Sequence, residues 1–260
     1  MVGDPAIVCH GGAGHGAKDQ PGVDLAADIA WDILSQGGNS LQAVLAAVVS
    51  MENDPNLNAG TGGRMKLDGS VQLDAAVATS EGQLGCVMAI EKIKNPILVA
   101  AEILDEKFNI LAGRGATEYA KQKGYDLQEV LGSERKGDTD TVGAIARDSE
   151  GMIAIATSTG GCSGRPAGRV GDTPLFGSGF WCDCEVAVAA TGIGEEIMQN
   201  MLSYRVAEEY KKEEYKDLNR SLEYGLSFFE PSVEVGLIAL GKQGLGVGLA
   251  NTEMPWAQRS

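Results

Sequence analysis

Two apolar runs, Val235 to Leu240 and Leu245 to Ala250, are separated only by Gly241-Lys242-Gln243-Gly244. Four residues are too few for a crossover that returns the chain to the same end of a sheet, so the runs pair antiparallel, as a hairpin. The same constraint joins Val142 to Arg147 with Met152 to Thr157 across the turn Asp148-Ser149-Glu150-Gly151. A strand at Glu185 to Ala190 is followed by one amphipathic helix from Gly194 to Lys211, with Ile197, Met198, Met201, Leu202 and Val206 as its apolar stripe. Antiparallel strands interrupted by helices predict an α+β layered domain and set aside a doubly wound nucleotide fold.

The first half is more helical. A short strand, Ala6-Ile7-Val8, runs into His10-Gly11-Gly12-Ala13-Gly14, and helices are expected over Asp24 to Ser35, from Asn39-Ser40 onward, and over Ile97 to Leu104 behind Pro96. Asp68-Gly69 predicts a hairpin turn between Met65-Lys66-Leu67 and Val71-Gln72-Leu73. Residues 121 to 140, charged and turn-forming, predict an exposed connection. Nothing in the 260 residues looks like a linker, so a single domain is expected.

A net charge of -15 leaves no basic stripe for phosphates, which excludes nucleic acid as a partner class. The longest mostly apolar stretch, Leu41 to Met51, contains Gln42 and is short of the roughly 20 residues a bilayer requires. Met1 to Pro5 lacks the basic and apolar regions of a signal peptide, so a cytoplasmic protein without a membrane partner is expected. The five cysteines, Cys9, Cys86, Cys162, Cys182 and Cys184, are odd in number and lack CxxC spacing, so free thiols are expected. Cys182 and Cys184, at i and i+2, would share a face if that stretch is a strand. The 36 glycines are about twice the usual share and cluster beside Thr and Ser, implying backbone that approaches something closely.

That clustering carries the chemistry. His10-Gly11-Gly12-Ala13-Gly14 lacks the Lys of a P-loop, and no serine here sits in the G-x-S-x-G elbow that an esterase would need. Threonine is a poor nucleophile without an adjacent base, and cleavage of Asp140-Thr141 would supply one as the new α-amine of Thr141. Such an amine has a reference pKa near 7.7 to 8.0, against about 10.4 for lysine, so roughly a tenth or more of it is neutral near physiological pH, where almost none of a lysine is. Thr157-Ser158-Thr159-Gly160-Gly161 and Thr191-Gly192-Ile193-Gly194-Glu195 add hydroxyls and close backbone. Between them, Arg169 and Asp172 offer opposite charges suited to the carboxylate and ammonium of an amino acid.

These segments, with Asn58-Ala59-Gly60-Thr61-Gly62, Asn95-Pro96 and Gly168-Arg169-Val170-Gly171-Asp172, occur in an order that resembles the plant-type L-asparaginases, or isoaspartyl peptidases, from Ala6 to about Trp256. Those are N-terminal-nucleophile hydrolases, and the resemblance implies a four-layer αββα sandwich with antiparallel sheets. It implies one domain, 1 to 260, cut between Asp140 and Thr141 into an α subunit, 1 to 140, and a β subunit, 141 to 260, with two cleaved αβ units forming a homodimer. Thr141 would be the nucleophile, Thr159 the hydroxyl that orients it, and Thr191 with the Gly192 N–H the oxyanion hole. Arg169 would hold the substrate α-carboxylate and Asp172 its α-amino group, with Gly161 and Asn58 lining the pocket. The implied reaction hydrolyses the β-amide of L-asparagine and β-aspartyl dipeptides through a threonine ester. No catalytic cofactor is implied, but a structural Na⁺ is, held by backbone carbonyls of Met51, Glu52, Asp54, Leu57, Ala59 and Thr61. Two alternatives stand beside this reading: an unprocessed, non-catalytic relative that binds aspartyl metabolites, and a glycosylasparaginase-like amidase. Glycosylasparaginases typically carry Asn where this chain has Gly160.

Overall fold

Two of the three expected hairpins are present, those around the turns Gly241 to Gly244 and Asp148 to Gly151. The structure, a computed structural model, describes residues 3–14, 16, 18–133, 141–212 and 216–260. His15, Gly137, Asp138 and Asp140, and with Asp140 the expected cleavage junction, lie outside the described residues. Strands β1 (Ala6–His10), β2 (Leu73–Thr79), β3 (Leu84–Ile90), β4 (Ile110–Ala112), β5 (Val142–Arg147), β6 (Ile153–Thr159) and β11 (Trp256–Arg259) form a seven-stranded sheet in the order β11-β1-β5-β6-β2-β3-β4. A second sheet runs β10-β9-β8-β7, from β7 (Phe180–Cys182), β8 (Val186–Gly192), β9 (Val235–Gly241) and β10 (Val247–Ala250). Among the described residues all ladders are antiparallel except one. β4 lies parallel to β3, which corrects the expectation of wholly antiparallel sheets: helix α3 (Pro96–Glu102) lies between the two strands and makes the crossover possible.

Strand alternation decides which side chains meet. On the face of the larger sheet that carries Cys9, Val142, Ala144 and Ala156 lie helices α1 (Gln20–Ser35), α2 (Ser40–Asn53) and α3. The opposite face, carrying Val8, Ile145, Ile153 and Ile155, packs against Phe180, Ala189, Ile238 and Leu240 of the smaller sheet. The far side of the smaller sheet presents Val188 and Leu237 to helices α6 (Leu202–Lys212) and α7 (Leu218–Leu226). Helix α2 begins at a capping box. The Asn39 side chain accepts the Gln42 N–H at 2.8 Å and Gln42 reaches back to the Asn39 N–H.

Several local expectations need correction. The single helix expected from Gly194 to Lys211 is two, α5 (Gly194–Asn200) and α6, divided at Met201, whose backbone is left-handed and whose side chain is exposed. The turn at Asp68-Gly69 exists, with Lys66 N–H donating to Ser70 O, but no paired strands flank it and β2 begins only at Leu73. Cys182 is buried in β7 whereas Cys184 is exposed beyond its end, so the two thiols do not share a face. Helices α4 (Gly113–Gln122) and α7 were not expected at all.

Candidate active site

The same alternation brings three of the expected threonines to one place. Ile153 and Ile155 point between the sheets, so Thr157 and Thr159, in step with them on β6, do as well. Ala187 and Ala189 set the same parity for Thr191 at the end of β8. Thr141 stands one residue beyond the Val142–Ser158 pair, at the mouth of the inter-sheet layer. All four hydroxyl residues are buried.

Thr141 is held at two atoms. Its N–H donates to Thr191 Oγ1 at 3.3 Å, and its Oγ1 lies 2.9 Å from Thr173 Oγ1. Thr191 Oγ1 also accepts the Ala13 N–H at 3.2 Å, tying the glycine-rich segment after β1 to the same point. Two accepted bonds leave the Thr191 hydroxyl hydrogen available to a third group. Thr159 Oγ1 accepts the Gly161 N–H at 3.0 Å, and Asn58 Nδ2 donates to Gly161 O at 2.9 Å. Gly192 has φ +145°, and a Cβ there would collide with Glu234 O. Glycine is what lets the backbone after Thr191 turn that close to its neighbour.

The two expected charges are not paired with each other. The Arg169 guanidinium makes a two-point contact with Glu195, Nε to Oε1 at 3.0 Å and Nη2 to Oε2 at 2.8 Å, leaving the Nη1 edge toward Gly171. Asp172 is buried with Oδ2 lacking a hydrogen-bond partner, and burial pushes its carboxyl up to about 7, although the Arg169 charge opposes that shift. A buried carboxylate oxygen without a partner is costly, and it is suited to an incoming cation. Thr141, Thr159, Gly161, Cys162, Arg169, Gly171, Asp172, Thr173, Gly192 and Gly194 wall one pocket, whose free volume of about 10 Å³ admits one water at most. A wider cleft of about 620 Å³ against Cys184, Tyr210 and Lys242 lies away from these groups.

Behind the pocket, Asp74 on β2 accepts the Ala89 N–H at 2.7 Å. Burial pushes its carboxyl up to about 6. His10 is fully buried, and its imidazole is pushed down to about 3, so it stays neutral at physiological pH. Thr173, Asp74 and Glu195 carry contacts that sequence reasoning did not assign. Gly160 bears on the glycosylasparaginase alternative, since a Cβ there would strike Gly63 Cα and Asn58 Oδ1.

For a cation, the loop from Met51 to Thr61 offers backbone oxygen, the donor type that hard ions take. The carbonyls of Met51, Asp54, Leu57 and Ala59 each accept one backbone N–H, which leaves each a second lone pair, and Thr61 Oγ1 is buried without a hydrogen-bond partner. These residues fit a small cation bound by neutral oxygens. The Glu52 side chain is committed elsewhere: it accepts from Ser158 Oγ at 2.7 Å and the Ile97 N–H at 3.1 Å, and burial pushes it up to about 8. Among the described residues no group of three or more His, Cys, Asp or Glu side chains is placed to hold a metal.

Comparison with known proteins covers nearly the whole chain. A family model described as Asparaginase matches residues 3–131 and 125–260. The isoaspartyl peptidase/L-asparaginase of Macaca fascicularis is 33% identical over 98% of this chain and 92% of its own length. That of Homo sapiens is 34% identical with the same coverage, and the plant-type L-asparaginase of Pyrobaculum calidifontis is 34% identical over 92% of this chain and 91% of its own.

Proposed function

The chain belongs to the Asparaginase family and is an enzyme, and from that premise we propose that it is a self-processing amidohydrolase acting on L-asparagine and β-aspartyl dipeptides. The observation that carries this reading is the double anchoring of Thr141 by Thr191 and Thr173 in one pocket with Arg169 and Asp172. Scission of the Asp140–Thr141 bond converts the Thr141 nitrogen from an amide, which has no useful basicity, to an amine that takes the hydroxyl proton. The substrate α-carboxylate meets the free edge of Arg169, and its ammonium meets Asp172 Oδ2. With the amino-acid head fixed at both ends, the side-chain carbonyl is the electrophile left within reach of Thr141 Oγ1.

Attack forms a β-aspartyl ester on Thr141. The developing oxyanion is stabilised by the Thr191 hydroxyl and the Gly192 N–H, and the protonated α-amine returns its proton to the departing ammonia or amino acid. Water then hydrolyses the ester and aspartate leaves. Gly161 lines the pocket with Asn58 holding it from behind; Thr159, expected to orient the nucleophile, accepts the Gly161 N–H, while the hydroxyl on Thr141 Oγ1 is that of Thr173. The arrangement around Gly160 supports this reading over a glycosylasparaginase-like one, because no side chain fits there.

Fold and assembly accord with the same chemistry. The helices, two sheets and outer helices make a four-layer αββα N-terminal-nucleophile fold of one domain, cut into chains 1 to 140 and 141 to 260. Two such αβ units form a homodimer in the cytoplasm, and a Na⁺ on the carbonyls of Met51, Glu52, Asp54, Leu57, Ala59 and Thr61 stiffens the loop that carries Asn58. No chemical step passes through that ion. Release of aspartate from asparagine and from β-aspartyl dipeptides by the wild type, and its loss in Thr141→Ala, is the expected result. Turnover retained by Thr141→Ala would remove Thr141 as nucleophile.

A further inference from the structure

Thr173 stands outside every glycine-rich motif of the site, yet it is the residue whose hydroxyl meets Thr141 Oγ1, at 2.9 Å. It is 1% exposed, and its position is fixed from two sides. Its carbonyl accepts the Thr157 hydroxyl at 3.1 Å, and a turn closed by Leu175 N–H on Asp172 O folds the chain immediately after Asp172. A threonine with a packed β-branch has few χ1 choices, so the Thr173 hydroxyl is a fixed partner. In the intact chain the Thr141 nitrogen is an amide and donates its own N–H to Thr191 Oγ1, so it cannot serve as base for the hydroxyl beside it.

We propose that Thr173 is a catalytic residue for self-cleavage: by hydrogen bonding Thr141 Oγ1 it fixes the nucleophile's rotamer at the stage before the α-amine exists. This rests on Thr141 being the nucleophile. In that step the Thr141 Oγ–C bond to the carbonyl carbon of Asp140 forms and the Asp140–Thr141 C–N bond breaks. The hydroxyl proton ends on the nitrogen that becomes the α-amine. Water then splits the ester, its OH going to the Asp140 carboxyl and its hydrogen to Thr141 Oγ. Thr173 is regenerated throughout. Once the amine is free, it lies on the nucleophile's own residue and takes over most of the work on the hydroxyl, so maturation depends on Thr173 more than turnover does.

The test follows freshly translated chains by denaturing electrophoresis and then assays the matured fraction. Thr173→Val, which keeps shape and loses the hydroxyl, is expected to slow cleavage by about tenfold or more, the effect of one lost buried hydrogen bond to the reacting oxygen. Matured Thr173→Val should show a smaller loss in kcat with KM for asparagine within about twofold of wild type, a split that general misfolding would not produce. Thr173→Ser should cleave nearly as fast as wild type and Thr173→Ala slowly, and this pair decides the matter if the valine variant does not fold. Wild-type cleavage in Thr173→Val, or Thr173→Ser as slow as Thr173→Ala, overturns the proposal. Thr141→Ala in parallel separates the two claims: cleavage at the same bond in that variant would sink the nucleophile assignment itself.

Discussion

Arg169 and Asp172 lie three residues apart and share a pocket, yet their charges are deployed separately. Arg169 is braced by Glu195, which orients its free edge, whereas Asp172 is held in surroundings that disfavour its charge. Arg169→Lys keeps the charge and loses the planar fork, so KM for asparagine is expected to rise by at least about tenfold in steady-state assays. An unchanged KM would remove Arg169 from the carboxylate role. The Asp172 carboxyl, raised from 3.8 to about 7 by burial, has to be ionised to hold an ammonium. Below about pH 7 the protonated fraction grows, so KM should climb toward tenfold per pH unit, while a flat KM between pH 5 and 7 would contradict the assignment. The sign for stability is the opposite of a paired carboxylate: ionising Asp172 in the fold costs stability as pH rises from about 4 to 7, and that cost disappears in acid. Thr141, Thr159, Thr191, Arg169 and Asp172 were legible in the sequence because each sits in a segment where glycines crowd polar groups, a pattern that strand or helix packing alone does not demand. Thr173 and Asp74 were not, because one threonine in a loop and one aspartate in a strand acquire meaning only from what lies across the sheet. Glu195 was visible in its motif, but an acid in the first turn of a helix is already accounted for by the helix dipole.

At the scale of elements, the hairpins β5–β6 and β9–β10 were legible since loop length and alternation both limit the outcome, whereas the β2–β3 hairpin was not read although only residues 80 to 83 separate its strands. The short edge strands β4, β7 and β11, of three or four residues, were missed because so few positions carry no period. The break between α5 and α6 was missed for a different reason. A continuous helix would place Met201 in line with Ile197, but its left-handed backbone resets the phase, so Leu202 and Val206 face the core and Met201 faces solvent. A β-carbon in that conformation costs about 1 kcal/mol relative to glycine. Met201→Gly is therefore expected to raise the stability of the fold by about that amount in denaturant titration, since little packing is lost at an exposed position. A loss of stability there would show that Met201 makes a contact in the working assembly that offsets its strain.

The molecule as a whole places its candidate catalytic groups where two sheets meet, with β6 and β8 supplying Thr159 and Thr191 and Thr141 standing just before β5 in the same parity. Such convergence depends on pairing between distant parts of the chain, so each motif could be noticed singly but their meeting had to come from the fold. If two cleaved units associate, sizing under native conditions will give a mass near twice 27.1 kDa, and a value near 27.1 kDa would contradict the homodimer. The central claim is that Thr141 becomes an N-terminal residue by the chain's own action. Intact mass of the purified protein under denaturing conditions tests it most directly. The account predicts two chains, one ending at Asp140 and one beginning with Thr141, whose summed mass exceeds the intact chain by one water. A single species at 27.1 kDa that nevertheless releases aspartate from asparagine would contradict it.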